Sequence, residues 1–408
     1  MLPGIDIKFS NGNIGTVVPS ADGVFGLLAS AVAVATKFEL NTPYVLKGMT
    51  DVASLGIVND TDNYVLYQWL SEFFAEAGEG TELWLMGFPK TDKVSDWFTQ
   101  DVGTGITPVE GLLDAANGKL TALFTAFSPD GSYVPTVSNG FDDDIADAKS
   151  KAQTLADNYT ATKYAPFYTI LEAYAFNGTH TDLPDLLTES NDRVGVFIGA
   201  TQKRTGTVTT MGATTSVLAG RLASTQVQES PGKVKNGPLA NLTAFIVDKA
   251  VEAYDVESLH DKGYISFRTH VGKAGYYITD GRLATKADDD YHYIERRRTI
   301  DKAFRIAHDI ASNEILNDFD LTNEGKVDPI YAKDVSGRME TAIATQMTAR
   351  GELSTDSSNP NDLGVQAAFN LDANVASTNK IEIVLKVRPK AYARWIEIVL
   401  GYDVNLNS

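Results

Sequence analysis

The chain has 408 residues, of which 43% are hydrophobic, 10% aromatic and 22% charged, and its formal net charge is −18. This composition is typical of a globular protein with two or three domains and excludes a disordered or fibrous chain. The negative charge disfavours binding to nucleic acid or to anionic lipid, because both would repel an acidic surface. The absence of cysteine excludes disulfides, thiolate metal ligands and a cysteine nucleophile.

The opening residues, MLPGIDIKFS, lack the basic and apolar regions of a secretory signal. The longest apolar stretch, GVFGLLASAVAVATKF at residues 23–38, is rich in alanine and is interrupted at Lys37, short of the roughly 18 uncharged residues that a membrane span needs. We therefore expect residues 22–37 to form a buried helix. We also expect a protein that is not secreted through a signal peptide and does not insert into a membrane.

Helix-like and strand-like patterns alternate through the middle of the chain. The spacing of apolar residues predicts helices over 22–37, 62–77, 107–117, 144–162 and 183–190, and strands over 82–88, 119–127, 165–176 and 193–200. Such alternation is typical of βαβ units, in which a largely parallel sheet is covered by helices. We predict a layered α/β domain over residues 21–240.

The pattern changes after residue 240. The apolar spacing predicts helices over 238–254, 294–316 and 329–350, and strands over 264–271, 274–284, 364–372, 379–387 and 394–404. This mixture predicts an α+β domain over residues 241–390. Residues 1–20 and 391–408 are predicted to be extended strand arms at the two ends of the chain.

Candidate catalytic and metal-binding patterns are weak. The five histidines never occur four residues apart on one helix or as a His-x-His pair, so metal-ligand spacing is absent. The acidic runs at 142–144 and 288–290 could hold a hard cation, but helix starts and turns favour aspartate for local reasons. The stretch GVFIGATQKRTG, residues 195–206, lacks the spacing of either common phosphate-binding loop. We assign no catalytic residue, metal ligand or cofactor.

Both ends of the chain alternate apolar and polar residues as a half-buried strand does. The apolar positions are Ile5, Ile7 and Phe9 at one end and Trp395, Ile396, Ile398 and Leu400 at the other. Either segment could be an edge strand of its own domain or a strand that pairs with another chain.

A second unusual feature is a basic cluster in an acidic protein. It consists of Arg296, Arg297, Arg298, Lys302 and Arg305. These cations could form a solvated face, pair with acidic groups of the same chain, or meet an acidic surface of a partner.

Four segments in the second half of the chain occur in a characteristic order. They are residues 215–241, ending in PGKVKNGPLAN; residues 272–309, with a Gly-Arg-Leu turn before YHYIERRR; the helix-Gly-loop-strand run 331–371; and the ending RPKAYARWIEIVLGYDV. In this order they resemble the contractile tail sheath proteins of phages and phage-like injection systems. The family often has a tryptophan and an Arg-Thr where this chain reads QVQESPGK and GRLAT, so the resemblance is to a divergent member. The first half resembles the family in its opening strand alone.

The resemblance implies a structural subunit rather than an enzyme. Sheath subunits form stacked, commonly six-fold rings around an inner tube, and their terminal arms add strands to sheets of neighbouring subunits. The extended sheath then contracts and drives the tube through a target envelope without nucleotide or other cofactor. The implied partners are other copies of the chain, the inner tube, and baseplate and tail-terminator proteins, with no nucleic acid. The implied location is a virion tail or, as an assembled particle, the bacterial cytoplasm.

The resemblance also implies roles for charged residues. A helix of the C-terminal sheath domain faces the tube, and the candidates are Lys333, Arg338 and Arg350 in the 329–350 helix, or else the 294–316 helix. The basic cluster becomes a candidate contact between subunits. A solvated helix face remains the alternative reading of these cations.

Two other functional classes remain open from the sequence. One is a non-contractile structural protein such as a tube, capsid or surface-layer subunit, which would not need strands at both ends. The other is an α/β enzyme with an unrecognised site, which the alternating pattern over residues 83–199 keeps possible.

Overall fold

The computed structural model describes residues 21–103, 105–203 and 212–402. The chain divides into two compact units, the first ending at Ile315 and the second beginning at Leu316. The predicted strand arm that contains Ile5, Ile7 and Phe9 lies outside the described residues.

The first unit contains most of the regular structure. Its strands are β1 (Phe25–Ala31), β2 (Pro43–Leu46), β3 (Leu83–Pro89), β4 (Ala122–Ala126), β5 (Tyr168–Glu172), β6 (Ser190–Asn191), β7 (Val194–Phe197), β8 (Phe245–Ile246), β9 (Lys249–Ala250), β10 (Phe267–Arg268), β11 (Tyr277–Ile278) and β12 (Ala284–Thr285). Its helices are α1 (Met49–Ser54), α2 (Tyr64–Ala77), α3 (Val94–Trp97), α4 (Pro108–Ala115), α5 (Asp143–Lys163), α6 (Ser216–Ser224), α7 (Val256–Asp261) and α8 (Ile294–Ser312).

A six-stranded sheet in the order β2-β3-β1-β4-β5-β7 forms the centre of this unit. β1 pairs in parallel with both β3 and β4, so that Phe25 lies opposite Leu83 on one side and Ala122 on the other. β5 continues the parallel pairing to β7, whereas β2 joins the far edge antiparallel to β3. Helix α2 packs on β1 and β4, and α5 packs on β5 and β7. The predicted α/β arrangement with a largely parallel sheet is therefore confirmed.

The prediction of a helix over residues 22–37 was wrong. Residues 25–31 form β1, the strand at the middle of the sheet, and every residue of β1 is buried. A central strand of a parallel sheet is covered on both faces, so it shows a continuous apolar run rather than an alternating one. Such a run cannot be distinguished from a buried helix by its periodicity.

The predicted helices over 183–190 and 238–254 were also wrong. Residues 186–188 form one turn of 3₁₀ helix, and residues 245–250 form the short β8–β9 hairpin. The hairpin turn includes Val247 at φ 58°, a left-handed conformation that interrupts any helix. Ile246 and Val251 are buried, which explains the apolar spacing that suggested a helix.

The division between the units falls 75 residues after the predicted domain boundary at 240/241. Residues between the two positions supply buried side chains to the same hydrophobic core as the parallel sheet, among them Leu259, Ile265, Phe267 and Ile294. The change of pattern at residue 240 therefore marks a change of local architecture within one packed unit.

The second unit is smaller. Its elements are α9 (Pro329–Gln346), β13 (Val365–Phe369), α10 (Val375–Thr378) and β14 (Ile383–Val387). β13 and β14 form an antiparallel ribbon on which α9 packs through β13. The small core consists of Val327, Ala332 and Val375, with Phe319, Tyr331, Phe369 and Ile381 packed around them.

Candidate assembly surfaces

The C-terminal segment, residues 389–402, belongs to no helix or strand of its own chain. Its apolar side chains are exposed to solvent: 86% for Trp395, 72% for Ile396, 80% for Ile398 and 93% for Leu400. The strand predicted over 394–404 is therefore not formed by the described residues of a single chain, because a strand needs a partner to satisfy its backbone groups. The alternating apolar pattern remains, and its side chains are in water.

The β13–β14 ribbon has one covered edge and one open edge. Arg388 donates its backbone N–H to Gly364, and Asn370 donates its own to Glu382, so these positions bond across the ribbon. Antiparallel alternation then directs the backbone groups of Ala367 to the outer edge of β13. There the Ala367 N–H donates to Glu340 Oε1 of α9 at 2.8 Å. On β14 the same alternation directs the backbone groups of Leu385 to the opposite edge. That edge has no strand partner within the described residues.

The three candidate tube-facing cations are all exposed side chains of the second unit. Lys333 and Arg338 are on the face of α9 opposite its buried residues, and Arg350 is in the 3₁₀ turn that follows the helix. Arg338 Nε lies 3.0 Å from Asp334 Oδ2, an exposed pair one helical turn away. What these cations meet in an assembly stays a prediction.

Most cations of the basic cluster on α8 are bonded within the same chain, which is one of the three arrangements that the sequence left open. Arg297 and Arg298 are 6% and 3% exposed, and the Lys302 side chain is 10% exposed. Arg298 Nη2 donates to the Leu222 carbonyl at 2.9 Å, whereas Arg305 donates to the carbonyls of Gly118, Leu120 and Pro166.

Acidic side chains of the same unit bind two further cations of the cluster. Arg297 lies 3.0 Å from Asp192 and from Asp301, and Lys302 lies 2.7 Å from Asp22. These cations point inward because α8 packs against carboxylates and free carbonyls that need donors. Arg296 is half-buried.

The acidic runs have local structural partners. Asp142 caps α5, and the pKa of its carboxyl is raised by burial although Tyr133 and backbone amides donate to it. Asp289 accepts from the Tyr291 amide at 2.7 Å and from the Thr285 hydroxyl at 3.1 Å, which closes a turn. Among the described residues, no group of acidic or histidine side chains is arranged to hold a metal ion.

No helix in the described ranges is long and apolar enough to cross a membrane.

Sequence reasoning missed Arg221, which organises the segment 215–241. Arg221 is 5% exposed, and its guanidinium binds Glu76 Oε1 at 2.5 Å and donates to the Pro238 carbonyl at 2.8 Å. The pair thereby joins α2, α6 and the loop that ends in GPLAN. The available signal was a lone arginine in the small-residue run SVLAGRLAS, where a charge must find a partner to be buried.

Comparisons with known proteins identify the family and the fold. The N-terminal domain model of the DUF2586 family matches residues 2–282, and the C-terminal domain model matches residues 290–407. The chain belongs to the DUF2586 family. No curated protein matches the sequence.

Solved sheath structures share the fold over nearly the whole chain. The helical sheath of the anti-feeding prophage in its contracted state matches with a TM-score of 0.63 at 17% identity and covers 99% of each chain. The contracted PVC sheath of an extracellular contractile injection system matches with a TM-score of 0.59 at 14% identity, covering 99% of this chain and 98% of that one. A sheath tail protein from Listeria innocua matches with a TM-score of 0.51 at 10% identity, covering 92% and 96%. The chain has the fold of contractile sheath proteins, and the resemblance found in the sequence is confirmed at that level.

Proposed function

We propose that this chain is a subunit of a contractile tail sheath, which polymerises around an inner tube and shortens to drive the tube through a target envelope. One observation carries the proposal: a chain with the sheath fold has an exposed segment, residues 389–402, with alternating apolar side chains and no partner strand of its own among the described residues. Leaving side chains such as Ile398 in water is unfavourable, and burying each would contribute about 1.5–3 kcal/mol. A second copy of the chain supplies the missing partner.

Strand addition is the physical basis of the proposed assembly. At about 3.3 Å per residue, residues 389–402 can extend about 45 Å from the ribbon. The open edge of β14 offers unpaired backbone groups to an incoming strand, whereas Glu340 covers the β13 edge. Ladder hydrogen bonds stay satisfied while whole subunits rotate, which suits a lattice that rearranges during contraction.

The proposed partners follow from the same assignment. Lys333, Arg338 and Arg350 of the second unit are the candidate contacts with an inner tube, and rings at the ends of the sheath would meet baseplate and terminator proteins. The subunit acts without catalysis or a cofactor, as part of a virion tail or an assembled injection particle.

Truncation and point variants test the proposal. Deleting residues 396–408, or residues 1–12, should leave a folded subunit that no longer forms the hollow tubes expected of the full chain in negative-stain images. Ile398→Asp should have the same effect because it puts a charge into the strand interface, whereas the neighbouring control Glu397→Gln should still assemble.

Tubes formed by the truncated chains would disprove strand exchange. Full-chain tubes that never shorten would indicate a non-contractile assembly, and a stable monomer whose melting temperature rises with a small ligand would favour an enzyme.

A further inference from the structure

Helix α8 lies along the edge of the sheet at which the parallel strands begin. Lys302 binds Asp22, which precedes β1 in the chain. Arg305 donates to the carbonyls of Leu120, just before β4, and Pro166, just before β5. One helix therefore contacts the starts of three neighbouring parallel strands through charged side chains.

An ion-pair network extends these contacts to a fourth strand. Asp301 of α8 accepts two hydrogen bonds from the guanidinium of Arg193, at 2.9 and 3.2 Å, and Arg193 immediately precedes β7. Arg297 binds both Asp301 and Asp192 at 3.0 Å. Arg193, Arg297 and Asp301 are all less than 9% exposed, so water competes little for these bonds.

The position of α8 in the chain would place these contacts between a pulling force on the second unit and the sheet. The helix ends at Ser312, and the second unit begins at Leu316. A pull transmitted along the backbone from the second unit therefore reaches α8 first. The contacts of Lys302, Arg305 and Asp301 would divide that pull among β1, β4, β5 and β7.

We propose that α8 is the anchor that passes load from the second unit into the parallel sheet, with Arg305 and Lys302 as its positioning residues. The source of the load rests on the proposed sheath function, because contraction would pull on the arms and ribbon of the second unit. The anchoring itself is a property of the single chain and can be measured without any assembly.

Single-molecule pulling on the full chain tests the anchor. The chain has no cysteine, so two handles can be added at single sites by Gly131→Cys and Asn323→Cys. Both positions are exposed, and Gly131 follows β4, so tension between the handles runs from the end of α8 through the sheet. In this background the anchored α8 should unfold together with the sheet in one event.

Arg305→Gln should add a separate first event at lower force. Peeling the 19 residues of α8 from a helical to an extended form lengthens the tether by about 40 Å, from about 1.5 to about 3.5 Å per residue. Lys302→Met, which removes one contact, should show the same early event at an intermediate force. Arg338→Gln lies outside the tethered path and should match the parent.

The size of the first extension separates anchoring from general stability. A variant that only destabilises the first unit would lower the force of the single unfolding event. It would not add the separate extension of about 40 Å. If Arg305→Gln and Lys302→Met both lack the early step, α8 is not the anchor. This result would leave the sheath proposal standing, whereas failure to form tubes would not alter the pulling result.

Discussion

Glu172 shows how strongly burial can act on one residue. It ends β5 at the carboxyl edge of the sheet, is 1% exposed, and accepts from the backbone amides of Phe127 and of Ala213, the latter at 2.9 Å. Burial raises the pKa of its carboxyl to about 8, although the two amide donors act in the opposite direction. The folded protein therefore holds a proton here at pH values where the unfolded chain has lost it.

This difference predicts a pH dependence of stability. The contribution of Glu172 is fully present below about pH 4.5 and is lost as pH rises towards 8, because the unfolded glutamate ionises first. The free energy of unfolding should fall by up to about 1.4 kcal/mol per pH unit from this group in that window. Urea titrations at several pH values should show this slope in the wild type.

The control is the same titration of Glu172→Gln. This variant cannot ionise, so its stability should lack that part of the slope even though its amide replaces one acceptor oxygen. Parallel pH profiles for the two proteins would mean that Glu172 keeps the same charge on folding.

At the scale of elements, the start of α9 can be predicted from local sequence signals. Asp328 caps the helix by accepting from the Ile330 amide, and Pro329 occupies the first helical position. The buried residues Val335, Met339 and Ile343 then recur every four positions. These signals are local, which is why the predicted start at residue 329 agrees with the structure.

Asp328→Ala should destabilise α9 by about 1 kcal/mol, because it leaves a backbone amide at the helix start without its acceptor. Amide exchange in α9 should become roughly fivefold faster as a result. Asp334→Ala is a matched control on the same helix, since it removes only an exposed pair with Arg338 that contributes about 0.3–0.5 kcal/mol. Equal exchange rates in the two variants would contradict the capping role.

At the scale of the whole molecule, charge opposes assembly. The net charge is −18, and several cations of the basic cluster are directed into the first unit, where they do not offset negative charge at contacts between subunits. Like-charged subunits repel over about 10 Å at moderate ionic strength, so added salt should reduce the barrier to association.

Light scattering should therefore show faster polymerisation as NaCl is raised from about 10 to about 200 mM. The double variant Asp288→Asn, Asp290→Asn removes two exposed charges from one acidic run and should accelerate assembly at low salt in the same direction. If salt slowed polymerisation instead, locally complementary charges would dominate the encounter.

The sequence by itself determined the parts of this protein that depend on local patterns. The parallel α/β class, helices α2, α4, α5, α8 and α9, and the ribbon strands all follow from apolar spacing and capping residues. The alternating apolar ending was also visible, since a period of two needs no tertiary information to detect.

Tertiary structure alone decided three other matters. It made residues 25–31 a central strand rather than a helix, because burial on both faces removes the periodicity that distinguishes the two. It directed Arg298, Lys302 and Arg305 of α8 inward. The carbonyls and carboxylates that accept from them are close in space but more than 70 residues away along the chain. It left Ile396, Ile398 and Leu400 exposed, because the partner that a strand requires is absent from the described part of the same chain.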